Sequence, residues 1–174
     1  FGAKGDGLTD DTAAIQAAIT SAVNNQKEII FFPKGTYLVG GALQDTGNAN
    51  AQLVIPVVPG ASYSQTVRLV GESFPAQSMS IINANWSNFG GSILKSSLSG
   101  SGSAAVIGIS GTIVVGPYTF NNVTVDVENL TLIVPDNPQI SGLNLRKAFA
   151  ARLRGVTVYT GRAPYSMSQP TLAT

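Results

Sequence analysis

Two segments late in the chain carry one pattern. Val125-Asp126-Val127-Glu128-Asn129-Leu130-Thr131-Leu132 aligns with Ala151-Arg152-Leu153-Arg154-Gly155-Val156-Thr157-Val158 at an offset of 26 residues. Apolar residues alternate within each copy, and the alternation slips by one place across Glu128-Asn129 and Arg154-Gly155. The apolar side stays inward only if the chain bends there. A period of about 20–50 residues with strands at matching places is the mark of a solenoid, in which each coil buries its apolar side on its neighbours. The same register sets Asp126 beside Arg152 and Glu128 beside Arg154 on the outward face of strands about 4.8 Å apart.

The rest of the chain agrees with a β-rich stack. Thr9 to Val23 holds the one helical pattern, with Ile15, Ala18, Ile19, Ala22 and Val23 on one face and Thr9, Asp10 and Asp11 where cap and first-turn residues belong. The helix should stop near Asn24-Asn25. Every other apolar run is short and β-prone: Glu28–Phe32, Thr36–Val39, Gln52–Val58, Thr66–Val70, Ser92–Lys95, Ala104–Ile109, Thr112–Val115, Val123–Val127, Leu130–Val134, Gly142–Leu145 and Arg152–Val158. Clusters of Gly, Ser, Asn and Pro separate them, and Asp45–Asn50, Ser62–Gln65 and Ser96–Ser103 read as surface loops.

Composition narrows the chemistry. The 174 residues include neither histidine nor cysteine, so nucleophile pairs of the Ser-His or Cys-His type, thiol redox centres and ordinary zinc sites are excluded within them. Any acid–base work falls to carboxylates, Tyr, Lys and Arg. Only 11% of residues are charged and the net charge is +1, which argues against nucleic acid as a partner and suits an extracellular or virion surface rich in Ser, Thr, Asn and Gly. No apolar run approaches the roughly 18 residues of a membrane span.

Phe1-Gly2-Ala3-Lys4-Gly5-Asp6-Gly7-Leu8-Thr9-Asp10-Asp11-Thr12-Ala13-Ala14-Ile15-Gln16-Ala17-Ala18-Ile19, followed by Phe32-Pro33-Lys34-Gly35-Thr36-Tyr37, resembles the N-terminal opening of the pectin-lyase-like family. The resemblance covers residues 1–39, and Val67-Arg68-Leu69-Val70-Gly71-Glu72 and Asn129-Leu130-Thr131-Leu132 look like coil turns of the same family. It implies an all-β solenoid, a right-handed parallel β-helix closed at its N-terminal end by one short helix. Members include pectate lyases, polygalacturonase-like hydrolases, exo-glucanases and phage tailspikes. The implied partner is therefore a polysaccharide met outside the cell, at a cell surface or on a virion. Calcium would accompany a lyase, and a homotrimer would accompany a tailspike.

The opening motif reads as structure: glycines for a chain reversal, aspartates for the cap. Its Asp6 to Asp11 cluster lacks the closing glutamate of a calcium loop, since Ala17 stands there. No histidine completes a polygalacturonase-type arrangement. The candidate catalytic patch is Asp126, Glu128, Arg152 and Arg154: two carboxylates on one face could act as acid and base or bind calcium, and an arginine could orient an acidic sugar. A ladder of ion pairs, with each carboxylate held ionised, is the stronger reading of the same residues. After Asp136 no carboxylate remains, whereas Arg146, Lys147, Arg152, Arg154 and Arg162 follow, so Arg146 and Lys147 are candidates for an anionic substrate. Trp86, the lone tryptophan, is the candidate for stacking on a sugar ring. No cofactor or metal ligand set is evident.

The chain is expected to form one β-helical domain over 1–174, with the opening motif, helix and first coil in 1–40 and successive coils in 41–174, as the N-terminal part of a longer protein. The expected function is extracellular polysaccharide processing, as a hydrolase, lyase or tailspike-type depolymerase, with the catalytic groups mostly beyond this segment. The competing expectation is a non-catalytic structural or receptor-binding β-helix.

Overall fold

The computed structural model describes residues 1–26, 29–46, 50–57, 65–73, 91–98, 104–110, 113–115, 118–120, 123–134, 140–145 and 148–160, with backbone alone at 113–115, 118–120 and 160. In chain order the elements are β1 (Asp6–Asp10), α1 (Thr12–Asn24), β2 (Ile29–Phe32), β3 (Gly35–Val39), β4 (Gln44–Asp45), β5 (Asn50–Ile55), β6 (Gln65–Gly71), β7 (Ser92–Ser96), β8 (Ala104–Ile109), β9 (Ile113–Val115), β10 (Tyr118–Phe120), β11 (Val123–Glu128), β12 (Leu130–Val134), β13 (Ile140–Asn144), β14 (Ala150–Arg154) and β15 (Thr157–Thr160). Each turn of the chain delivers one strand to each of three parallel sheets in succession. Sheet I is β2, β6, β11, β14; sheet II is β1, β3, β7, β12, β15; sheet III is β4, β5, β8, β13, where only β4 runs antiparallel. Strands β9 and β10 form a separate antiparallel hairpin. This is the all-β parallel solenoid that the repeat requires.

The interior is a set of apolar columns. Val67 stacks on Val125 and Leu69 on Val127 in sheet I, and Leu94 stacks on Leu132 in sheet II; all are buried. Each such side chain contributes about 1.5–3 kcal/mol relative to an exposed one, and the stacking repeats that gain coil after coil. The bend between sheets I and II falls where the alternation slips. Gly91, Asn129 and Gly155 occupy equivalent corners before β7, β12 and β15, and all three have positive φ, of 83°, 52° and 60°.

Helix α1 closes one end of the stack with Ile15, Ile19, Ala22 and Val23 buried beneath it. Gln16 extends this closure to the sheet: its Oε1 accepts from the Val54 N–H and its Nε2 donates to the Val54 carbonyl, both at 2.8 Å. Those are groups that an open strand edge would otherwise leave unpaired. The start of the helix differs from the sequence reading. Thr9 and Asp10 belong to β1, which pairs with β3, and the helix begins at Thr12. Asp11 sits at the cap position, yet its carboxylate turns back to accept from the Lys4 and Gly5 N–H groups at 2.7 and 3.0 Å. Asp10 accepts from the Thr12 N–H instead. Pairing of β1 with the sheet outcompetes helical extension here.

Most other strands fall within a residue or two of expectation. The expected strand Arg152–Val158 is two strands, β14 and β15, broken at the Gly155 corner. Strands β1, β4 and β10 had no counterpart in the sequence reading, and the supposed loops give up Asp45, Asn50, Gln65 and Ser96 to strands. Among the described residues no helix is long and apolar enough to cross a membrane.

Candidate functional site

Sheet I carries two outward columns that run along the stack. One is Ile29, Arg68, Asp126, Arg152; the other is Phe31, Val70, Glu128, Arg154. Alternation dictates this set, because Ile30, Leu69 and Val127 between them point into the core and are buried. The expected register, Asp126 with Arg152 and Glu128 with Arg154, is the one observed.

The structure adds a residue that the repeat did not reveal. Arg68, on the opposite neighbour of β11, reaches both carboxylates: Nη2 donates to Glu128 Oε1 at 2.8 Å, and Nε lies 3.9 Å from Asp126 Oδ2. From the other side Arg154 Nη2 donates to the same Glu128 oxygen at 2.6 Å, and Arg152 Nη1 lies 3.8 Å from Asp126 Oδ2. Each carboxylate is therefore held between two guanidinium groups. Arg68 shares the alternation Val67-Arg68-Leu69 with Val125-Asp126-Val127, so the signal is present, but it lies 58 positions before Asp126, against 26 positions from Asp126 to Arg152. Unequal coil lengths hide it.

Depth separates the charges. The side chains of Asp126 and Glu128 are 7% and 18% exposed, that of Arg68 is 31% exposed, and those of Arg152 and Arg154 are 71% and 66% exposed. Alternation predicts exposed pairs, but Asp126 is buried, and its Oδ1 has neither solvent contact nor a hydrogen-bond partner. Alternation tells which way a side chain leaves the sheet, and says nothing of what covers it. An approaching ligand meets guanidinium groups first. Three arginines against two carboxylates leave the patch cationic, and its outermost layer is entirely so.

Glu128 is tuned by these neighbours. Hydrogen bonds from Arg68 and then from Arg154 hold its carboxyl below the ordinary value of 4.5, against a smaller opposing effect of burial. It is ionised at neutral pH and is a poor proton donor. The donor set also does not fit calcium, because the cation would compete with guanidinium groups already within 4 Å of both carboxylates. Among the described residues no group of three carboxylates is gathered for a metal.

Exposure on this face is greatest at its outer strands, β2 and β14. Outward residues Ile93, Thr131 and Ile133 of sheet II are buried, whereas Ile29, Phe31, Arg152 and Arg154 of sheet I are exposed. Trp86, Arg146 and Lys147 lie outside the described residues.

Residues 1–169 match the family model described as rhamnogalacturonase A/epimerase, pectate lyase-like. Similar proteins include alginate lyase 7 of Azotobacter vinelandii, 42% identical over 67 residues that make up 38% of this chain and 8% of that protein. The glucan 1,3-beta-glucosidase of Cochliobolus carbonum is 40% identical over 75 residues, 43% of this chain and 7% of that one. The mannuronan C5-epimerase AlgE5 of Azotobacter vinelandii is 34% identical over 94 residues, 52% of this chain and 9% of that one. Among solved structures, the A-module of the Azotobacter vinelandii mannuronan C-5 epimerase AlgE4 superposes with a TM-score of 0.48 at 23% identity, covering 91% of this chain and 36% of that one. The chain matches less than a tenth of the length of each of these curated relatives. The opening motif, the three-sheet parallel stack and the match across residues 1–169 agree: this chain belongs to the rhamnogalacturonase A/epimerase, pectate lyase-like family of β-helical proteins.

Proposed function

We propose that this chain belongs to an extracellular polysaccharide-processing protein and that the outward face of sheet I holds an anionic polysaccharide. The observation that carries the proposal is the layering of charge, with Arg152 and Arg154 at the surface and the two carboxylates beneath them. Relatives named for alginate lyase and mannuronan epimerase activity support an acidic polymer as the substrate class.

In this reading Asp126 and Glu128 position the arginines and transfer no proton themselves. Glu128 is kept ionised, and the free oxygen of Asp126 is closed to solvent. Arg152 and Arg154 pair with uronate carboxylates. A guanidinium on such a carboxylate also lowers the cost of negative charge at the adjacent ring carbon, which is the charge that elimination or epimerisation develops. The proton-transferring groups are then other residues than this cluster.

The test is incubation of the protein with acidic and neutral polysaccharides, reading new reducing ends, unsaturated uronate products and changes in sugar stereochemistry. Alteration confined to acidic polymers, or their retention without alteration as in a purely binding role, supports the surface assignment. Equal action on neutral polymers, or none on and no binding of any polymer, contradicts it.

A further inference from the structure

Both outward columns of sheet I begin with an exposed apolar residue and end with an exposed arginine. Ile29 and Phe31 are each 54% exposed. On the inner strands of sheet II the outward Ile93 and Ile133 are by contrast covered, at 2% and 8%. Phe31 stands in line with Val70, Glu128 and Arg154, one strand spacing per step. Three steps of about 4.8 Å put Arg154 roughly 14 Å along the stack from Phe31. A pyranose ring in an extended chain advances by a similar step, so successive rings would meet successive strands.

We infer that Phe31, flanked by Ile29, is the apolar end of a saccharide groove along sheet I and sets a minimum length for the bound chain. The inference rests on the proposed reading of this face as a polysaccharide surface. The C–H face of one sugar ring packs flat on the Phe31 ring, and the carboxylates of rings further along pair with Arg68, Arg152 and Arg154. The occupant is an acidic polysaccharide, because charge complementarity at the arginine end requires anions and the aromatic end requires a flat apolar ring face. A chain too short to span both ends gains from the arginines alone.

The experiment is calorimetric titration of the protein with mannuronate disaccharide and mannuronate hexasaccharide. Wild type, Phe31→Ala, Phe31→Tyr and Arg154→Ala are compared, each checked for an unchanged thermal midpoint. Phe31→Ala should weaken the hexasaccharide by about three- to tenfold and leave the disaccharide unchanged. Phe31→Tyr, which keeps the flat ring, should bind as wild type, and Arg154→Ala should weaken both ligands. Hexasaccharide binding that survives Phe31→Ala but falls in Arg154→Ala overturns the groove and leaves the polysaccharide reading standing. Failure of wild type to bind either ligand overturns both.

Discussion

The carbonyl oxygen of Asn129 lies so close over Gly71 that a Cβ at position 71 would overlap it. The two residues are stacked on neighbouring coils at the end of sheet I, where the chain turns into sheet II. Glycine is required there by contact with backbone, which cannot swing aside as a side chain would. Gly71→Ala should therefore destabilise the fold by about 1–3 kcal/mol, read as a lower urea midpoint with an unchanged slope. A midpoint equal to wild type would show that the corner accommodates a methyl group at position 71.

Asn129 itself makes the complementary case. Its φ of 52° matches the positive φ of Gly91 and Gly155 at the same corner in adjacent coils. Asparagine tolerates this conformation, whereas alanine loses roughly 1–2 kcal/mol in it. Asn129→Ala should lower the thermal midpoint and Asn129→Gly should hold it near the wild-type value. The reverse order would mean that the asparagine side chain, and not the backbone, is what the corner needs.

Removal of Arg68 should cost more than removal of Arg154. Arg68 touches both carboxylates from a half-buried position, and its loss leaves the buried Asp126 facing only Arg152 at 3.8 Å. Arg68→Ala is expected to destabilise by about 1–3 kcal/mol, the cost of a buried group losing a partner. Arg154→Ala, at an exposed position, should produce a much smaller change. Equal effects in denaturant titrations would place the ladder on the surface after all.

The ladder also predicts a pH dependence. Glu128 has its carboxyl lowered from 4.5, first by Arg68 and next by Arg154. A carboxyl lowered in the folded state contributes stability that is fully present above the unfolded value and is lost as pH falls through the folded one. Stability should decline as pH drops below about 4.5, and Glu128→Gln should decline less steeply over that window. Asp10, lowered by its hydrogen bonds from the Thr12 side chain and N–H, and Asp6, lowered chiefly by the Thr9 N–H, add to the same decline and should persist in the variant. Identical urea midpoints against pH for both proteins would show that Glu128 contributes nothing to the acid decline.

The parts of the fold that were legible in the sequence are those that local chemistry decides. Alternation around Val125 and Val127 and its slip at Asn129 were enough to place the sheet I–sheet II corner and to pair Asp126 with Arg152 and Glu128 with Arg154. Where longer coils intervene, no fixed offset exists, so Arg68 could not be joined to the ladder from the sequence. The helix start was misplaced because Thr9 and Asp10 satisfy cap chemistry equally well as strand residues once β3 is beside them. The burial of Asp126 was illegible for a different reason: it depends on what lies over the sheet, which periodicity does not encode. Phe31 passed unnoticed as a candidate because an aromatic residue in a strand reads as core until the register shows which side it occupies.

The cationic outer layer of sheet I is tested by retardation of the protein in native gels cast with an acidic polymer, polymannuronate, or with a neutral glucan, at low and high salt. Retardation by the acidic polymer alone is expected, weakened by salt because charge interactions are screened beyond about 10 Å at 0.1 M, and lost in the Arg152→Ser/Arg154→Ser double variant. Equal retardation by both polymers, or retardation by polymannuronate that the double variant keeps, would contradict it.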